Sequence, residues 1–140
     1  MIQIISGQKG KGKTKQLIEI ANLETKDKQG SLVYLDKTQK HMYDLDNKIR
    51  LVNVMDYPIQ SSRELIGFIC GLLSGNHDIS DVFLDSFLTI ARLEKDDEII
   101  ETLEMLEDVS ARFNTNFILS ISRNKDELPG KYSDKVIVSL

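Results

Sequence analysis

The chain has no tryptophan, one cysteine, two prolines and two histidines among its 140 residues. A single thiol, Cys70, excludes an intrachain disulfide framework. Its neighbours Ile66, Phe68, Ile69 and Leu73 make it an expected core residue, not a reactive one. His41 and His77 have no cysteine, histidine or carboxylate at metal-ligand spacing, which argues against zinc chemistry. No apolar run approaches the ~18–20 residues of a membrane span, and the first residues lack a charged-then-apolar signal pattern. The expected location is the cytoplasm, with no membrane association. Positive charge is also short: 18 Lys and Arg against 22 Asp and Glu leave a net charge of −4. The resulting pI near 5.2 argues against general affinity for DNA, RNA or an anionic membrane. At 15.9 kDa the chain is expected to form one domain over residues 1–140, with a real core but no second catalytic module.

What the sequence does contain is concentrated in residues 7 to 14, Gly-Gln-Lys-Gly-Lys-Gly-Lys-Thr. This is a complete G-x-x-x-x-G-K-[ST] phosphate-binding loop, set directly after the apolar run Met1 to Ser6 and directly before a helix-like segment. Gly7, Gly10 and Gly12 lack a Cβ, so the backbone can turn its N–H groups inward around a phosphate oxygen. The helix beginning near Lys13 adds its unpaired first-turn donors and the positive end of its dipole. Lys13 is expected to reach the β and γ phosphates. Thr14 offers a hydroxyl where a magnesium ion bridging those phosphates needs a ligand. Lys9 and Lys11 are extra loop cations, read as solvated charge that favours a polyanion. Gln8 stands where a regulatory-lysine variant of the loop carries lysine. Gly7, Gln8, Lys9, Gly10, Lys11, Gly12, Lys13, Thr14 and Lys15 are therefore the expected contacts to ATP or ADP, with Mg2+ as the companion ion.

Along the chain, strands and helices alternate. Residues 2 to 6 read as a strand, 13 to 23 as a helix with Leu17, Ile18 and Ala21 on one side, and 31 to 36 as a second strand after Gly30. A polar stretch, 37 to 48, precedes a short strand at 50 to 54. Ser61 and Glu64 form a capping box for a helix running to about Ser74, closed by Gly75-Asn76. Val82 to Leu84 form an apolar strand ending in Asp85. Asp96 or Asp97 starts a long helix with Ile99, Ile100, Leu103, Leu106, Val109 and Phe113 at helical spacing. Residues 116 to 122 and 135 to 139 supply the last strands. Eight acids between Glu94 and Asp108 lie away from that apolar stripe and read as a solvated face. The alternation predicts an α/β fold, a three-layer α-β-α sandwich around a mostly parallel sheet.

Ligands of such sheets bind at the carboxyl ends of the strands, which here are Ser6, Asp36, Asp85 and Ser122. Asp85, closing Val82-Phe83-Leu84, has the pattern of a carboxylate that holds magnesium through its water shell.

On these features the chain resembles P-loop NTPases of the RecA-like group, and small single-domain bacterial ATP-binding proteins that carry a bare core. The loop at 7 to 14, the Asp85-Ser86 pair and the acid ending the second strand carry the resemblance. It implies that the last strand flanks the loop strand on one side, with strand 116 to 122 on the other and the Asp85 strand beyond. It also implies that Asp36 stands where the group has a glutamate that orients the attacking water, and that Ser122 lies near the γ phosphate. Asp36 is one methylene shorter than that glutamate, and Ser122 is shorter than the group's usual polar sensor. Long basic DNA-binding loops are missing. Arg63, Arg92, Arg112 and Arg123 are the candidate arginine fingers. The expected activity is slow Mg-dependent ATP hydrolysis, completed by self-assembly or by a protein partner. A small-molecule or nucleoside kinase and a non-enzymatic nucleotide-responsive interaction module are the alternatives.

Overall fold

The computed structural model describes all residues from Met1 to Leu140. Six strands, β1 (Ile2–Ser6), β2 (Ser31–Asp36), β3 (Ile49–Asn53), β4 (Ile79–Leu84), β5 (Asn116–Ile121) and β6 (Val136–Ser139), form one sheet in the order β3-β2-β4-β5-β1-β6. Every pairing is parallel. The expectation of a mostly parallel sheet thus becomes an entirely parallel one. Central strands read as nearly unbroken apolar runs because both faces are covered: residues 32 to 36 of β2 are all buried.

The two faces bury unequal cores. On one, α1 (Lys13–Asp27) lays Leu17, Ile18 and Ala21 against Ile5, Tyr34, Phe83 and Ile118 in a cluster of 10 buried residues. On the other, α2 (Ser62–Gly75) and α4 (Asp96–Phe113) pack Leu65, Ile69, Leu103 and Leu106 against Ile4, Val33, Val82 and Leu119 in a cluster of 27. Most apolar burial therefore sits beneath α2 and α4, where each fully buried Leu or Ile contributes roughly 1.5–3 kcal/mol. Cys70 is only partly buried and packs against that larger cluster.

Local chemistry explains the helix ends. Ser61 caps α2, its Oγ accepting from the Glu64 amide at 3.1 Å, while Glu64 Oε1 accepts from the Gln60 amide at 3.3 Å. The acids Asp96, Asp97 and Glu98 occupy the first turn of α4, where the helix dipole favours them. The first helix runs four residues beyond its expected end at 23, and Thr25 Oγ1 donates to the Asn22 carbonyl at 2.6 Å within the extension. β4 starts at Ile79 instead of Val82, because Ile79 and Asp81 already pair with Ser31 and Leu32. A four-residue helix, α3 (Phe87–Ile90), and 3-10 turns at 54–56, 125–127 and 130–135 have no counterpart in the sequence expectations. No helix is long and apolar enough to cross a membrane.

Parallel pairing has one consequence for chemistry. The carboxyl ends of β2, β4, β5 and β1 stand side by side at one edge of the sheet.

Candidate functional site

At that edge lies a cleft of about 610 Å³. Lys9, Gly10, Gly12, Lys13 and Thr14 line it from the loop between β1 and α1, and Asp36 with Lys37, Thr38, Lys40 and His41 from the exit of β2. Asp85, Ser86 and Thr89 follow β4, and Ser120 and Ser122 come from the end of β5.

Gly10 and Gly12 hold φ values of 85° and 97°, which L side chains rarely adopt. A Cβ on either would meet nothing within 4 Å, so the requirement for glycine is conformational and not steric. Gly12 is the N-cap of α1 and supplies no side-chain cap. The amides of Gly12, Lys13, Thr14 and Lys15 consequently donate to no protein group and constitute a set of free donors at a helix N-terminus. Lys13 is only 8% exposed, and its ammonium donates to the Gln8 carbonyl at 3.0 Å. Burial lowers its pKa from the ordinary lysine value, and the nearby Asp85 charge opposes that shift.

Asp85 lies just beyond β4 and is held from both sides. Its Oδ1 accepts from Ser120 Oγ at 2.6 Å, from the Ser86 amide at 2.9 Å and from Thr14 Oγ1 at 3.2 Å. Its Oδ2 accepts from the buried Tyr34 hydroxyl at 2.9 Å. Tyr34 is in turn pushed well above the ordinary tyrosine range by burial and by the adjacent Asp85 carboxylate. Ser86 adopts φ 51°, and this left-handed turn brings its amide back onto Asp85 and onto Ser120 Oγ at 2.8 Å.

Asp36 differs from Asp85. Only 2% of it is exposed, its Oδ1 accepts from the Lys37 amide at 2.7 Å, and its Oδ2 has no partner. Burial raises its pKa from the ordinary value of 3.8, and repulsion from Asp85 adds to the rise. Hydrogen bonding to Lys37 and the charges of His41 and Lys37 pull the other way. An unpartnered buried carboxylate oxygen at the wall of a polar cleft is an acceptor in need of a donor or a cation.

Of the residues singled out from sequence, Lys9, Gly10, Gly12, Lys13, Thr14, Asp36, Asp85 and Ser122 meet at this cleft. Gly7, Gln8, Lys11 and Lys15 do not line it. Gly7 follows β1, donates to the Arg123 carbonyl at 2.8 Å, and leaves room for Leu140, whose Cβ stands 3.0 Å from where a Gly7 Cβ would be. The Gln8 side chain donates outward to Glu127 at 2.9 Å. Lys11 and Lys15 are exposed to solvent. Ser122 falls one residue past β5 and is exposed, whereas Ser120, inside the strand, is the buried partner of Asp85.

Sequence reasoning passed over Ser120, Tyr34, Thr89, Lys37, Thr38 and Lys40. A serine inside the apolar run Phe-Ile-Leu-Ser-Ile was a readable signal, because a buried hydroxyl needs a partner. No candidate arginine reaches the cleft. Arg123 is tied to Asp96 at 2.6 Å and to the Glu94 carbonyl at 2.8 Å. Arg63 pairs with Glu101, Arg112 with Asp108, and Arg92 donates to the Ile59 carbonyl.

Nowhere do three or more His, Cys, Asp or Glu side chains gather to hold a metal by themselves. A divalent ion at Thr14 and Asp85 would therefore complete its shell with water and ligand oxygens, as hard, strongly hydrated cations do. Free amide donors and a buried lysine thus share one cleft with two buried carboxylates. No protein-family model matches the chain, and no curated protein matches it in sequence.

Proposed function

We propose that the chain is a Mg-dependent ATP-binding protein of the P-loop type that hydrolyses ATP slowly. One observation carries the reading: Thr14 and Asp85, 71 residues apart, share a 3.2 Å hydrogen bond beside a glycine loop whose amides are free. In a P-loop site this hydroxyl and this carboxylate are the two protein groups that attend magnesium. The strand order supports the RecA-like resemblance as well, since β5 lies between the loop strand β1 and the Asp85 strand β4.

In this reading the Gly12 to Lys15 amides and Lys13 cradle the β and γ phosphates. Bound magnesium would neutralise phosphate charge, with Thr14 as a ligand and Asp85 acting through water. Asp36 Oδ2, which no protein donor occupies, accepts a hydrogen bond from the attacking water and so orients it. Hydrolysis is slow for three structural reasons. Asp36 has a short reach, its protonation is favoured by burial, and no arginine lines the cleft to stabilise charge in the transition state. A second copy or a protein partner supplies the missing cation. The lack of arginine also disfavours the kinase alternative, whose lid brings arginines to the phosphates. A nucleotide-responsive interaction module shares the binding half of this site. The cytoplasm, where ATP is, is the proposed setting.

Phosphate release from ATP and magnesium, measured across a wide range of protein concentration, tests the proposal. A low rate per molecule that climbs with concentration is expected for a site completed by self-assembly. Failure of ATP and ADP to bind in magnesium would remove the proposal altogether.

A further inference from the structure

The cleft has an unusual wall. Fifteen residues line it and none is hydrophobic. Two separate elements supply its cations: Lys9 and Lys13 come from the glycine loop, Lys37 and Lys40 from the turn that leaves β2, with His41 beside them. Lys9, Lys37 and Lys40 form no ion pair, so their charge is available to a ligand. The other flank of the loop is bounded by a second cleft of about 460 Å³, lined by Asn124, Lys125, Asp126, Ser133 and Ser139, again without a hydrophobic residue. It borders the loop because Gly7 bonds to the Arg123 carbonyl and Gln8 to Glu127.

A nucleobase is held by stacking against aromatic or apolar side chains, and the only aromatic ring lining either cleft is the His41 imidazole, which is tied to Asp44 at 3.1 Å. Tyr34, Phe83 and Phe87 are fully buried beneath the site. Tyr43, the exposed aromatic of the 37–48 stretch, lines a different groove with Leu45, Ile49 and Leu51. Leu140, partly exposed, stands beside Gly7, and the exposed Met42 lines the same separate groove as Tyr43; neither lines a cleft at the loop.

We infer that the site selects its ligand by the linear triphosphate chain, through Lys13 and the loop amides on one side and Lys37 and Lys40 on the other, and is indifferent to the base. The inference rests on the phosphate-binding reading above and narrows it to a substrate class: triphosphates with any base, and inorganic tripolyphosphate.

Calorimetric titration of the full chain in magnesium with ATP, GTP, CTP and inorganic tripolyphosphate tests it. A single stacking contact is worth roughly five- to 150-fold in affinity. All four ligands are therefore expected to bind within about fivefold of one another, below one such contact. The double variant Lys37→Gln/Lys40→Gln, which alters only exposed and unpaired side chains, is expected to weaken all four together by about tenfold or more. A wider spread in favour of any one base, or full affinity in the double variant, overturns base-indifferent recognition and leaves phosphate binding standing. No binding of any of the four overturns both readings.

Discussion

Replacing Tyr34 with Phe removes one oxygen from the interior and leaves the ring packing in place. That oxygen is the only donor to Asp85 Oδ2, at 2.9 Å, and both residues are buried. Oδ1, by contrast, has three donors in Ser120, Ser86 and Thr14. The two oxygens should thus respond very differently to loss of one partner. A hydrogen bond to a charged group contributes about 1.5–3 kcal/mol, and an acceptor left buried without a partner costs the upper part of that range. Tyr34→Phe should therefore destabilise the fold by about 2–3 kcal/mol. Ser120→Ala, which leaves Oδ1 two donors, should cost about 1 kcal/mol. In urea denaturation the first loss moves the midpoint down by about 1–2 M for a chain of this size. Nucleotide affinity should fall in the same order, because the loosened carboxylate is the one proposed to attend magnesium. A Tyr34→Phe midpoint within about 0.2 M of the parent would refute the reasoning. So would a larger loss from Ser120→Ala than from Tyr34→Phe.

Lys13→Ala should raise the ATP dissociation constant by about 100-fold or more, as expected when a buried charge pair loses one member, and calorimetry reads this directly. Gly12→Ala forces a Cβ onto φ 97° and should cost about 1–2 kcal/mol of stability in urea, before any effect on ligand. Asp36 gives a signed pH dependence: its folded pKa lies above its unfolded one, so its favourable contribution is complete below 3.8 and is lost as pH rises through the folded value. Asp36→Asn should accordingly be more stable than the parent at neutral pH, with the gap closing in acid, as urea midpoints across pH would record. The same variant should bind ATP yet lose turnover in a phosphate-release assay; unchanged turnover would remove Asp36 as the base.

Much of the fold was legible because a parallel sheet covered on both faces writes each strand as an apolar run stopped by a polar residue. Asp36 and Asp85 stood out as such stops, and the glycine loop announced itself by spacing alone. The surroundings of Asp85 were not legible. Tyr34 and Ser120 reach it only through cross-strand register, which sets Leu35 level with Leu84 and Leu84 level with Leu119. No local pattern records which strands are neighbours. α3 escaped notice because four residues beginning after a left-handed Ser86 are too few for any helical period. The second cationic wall was hidden in a stretch that read simply as polar, since charge does not say which way a turn faces. The arginines illustrate the reverse case. Arg123 follows a strand end next to the site, yet its partner Asp96 is the first residue of α4, and only the packing of that helix reveals the pairing.

Binding of ATP with and without magnesium tests the central claim most directly. Titration calorimetry on the intact chain should give saturable binding to one site in magnesium, weakened by about tenfold or more in EDTA and by about 100-fold or more in Lys13→Ala. An ATP titration that shows no binding up to millimolar concentration, or the same affinity in the parent and Lys13→Ala, would contradict it.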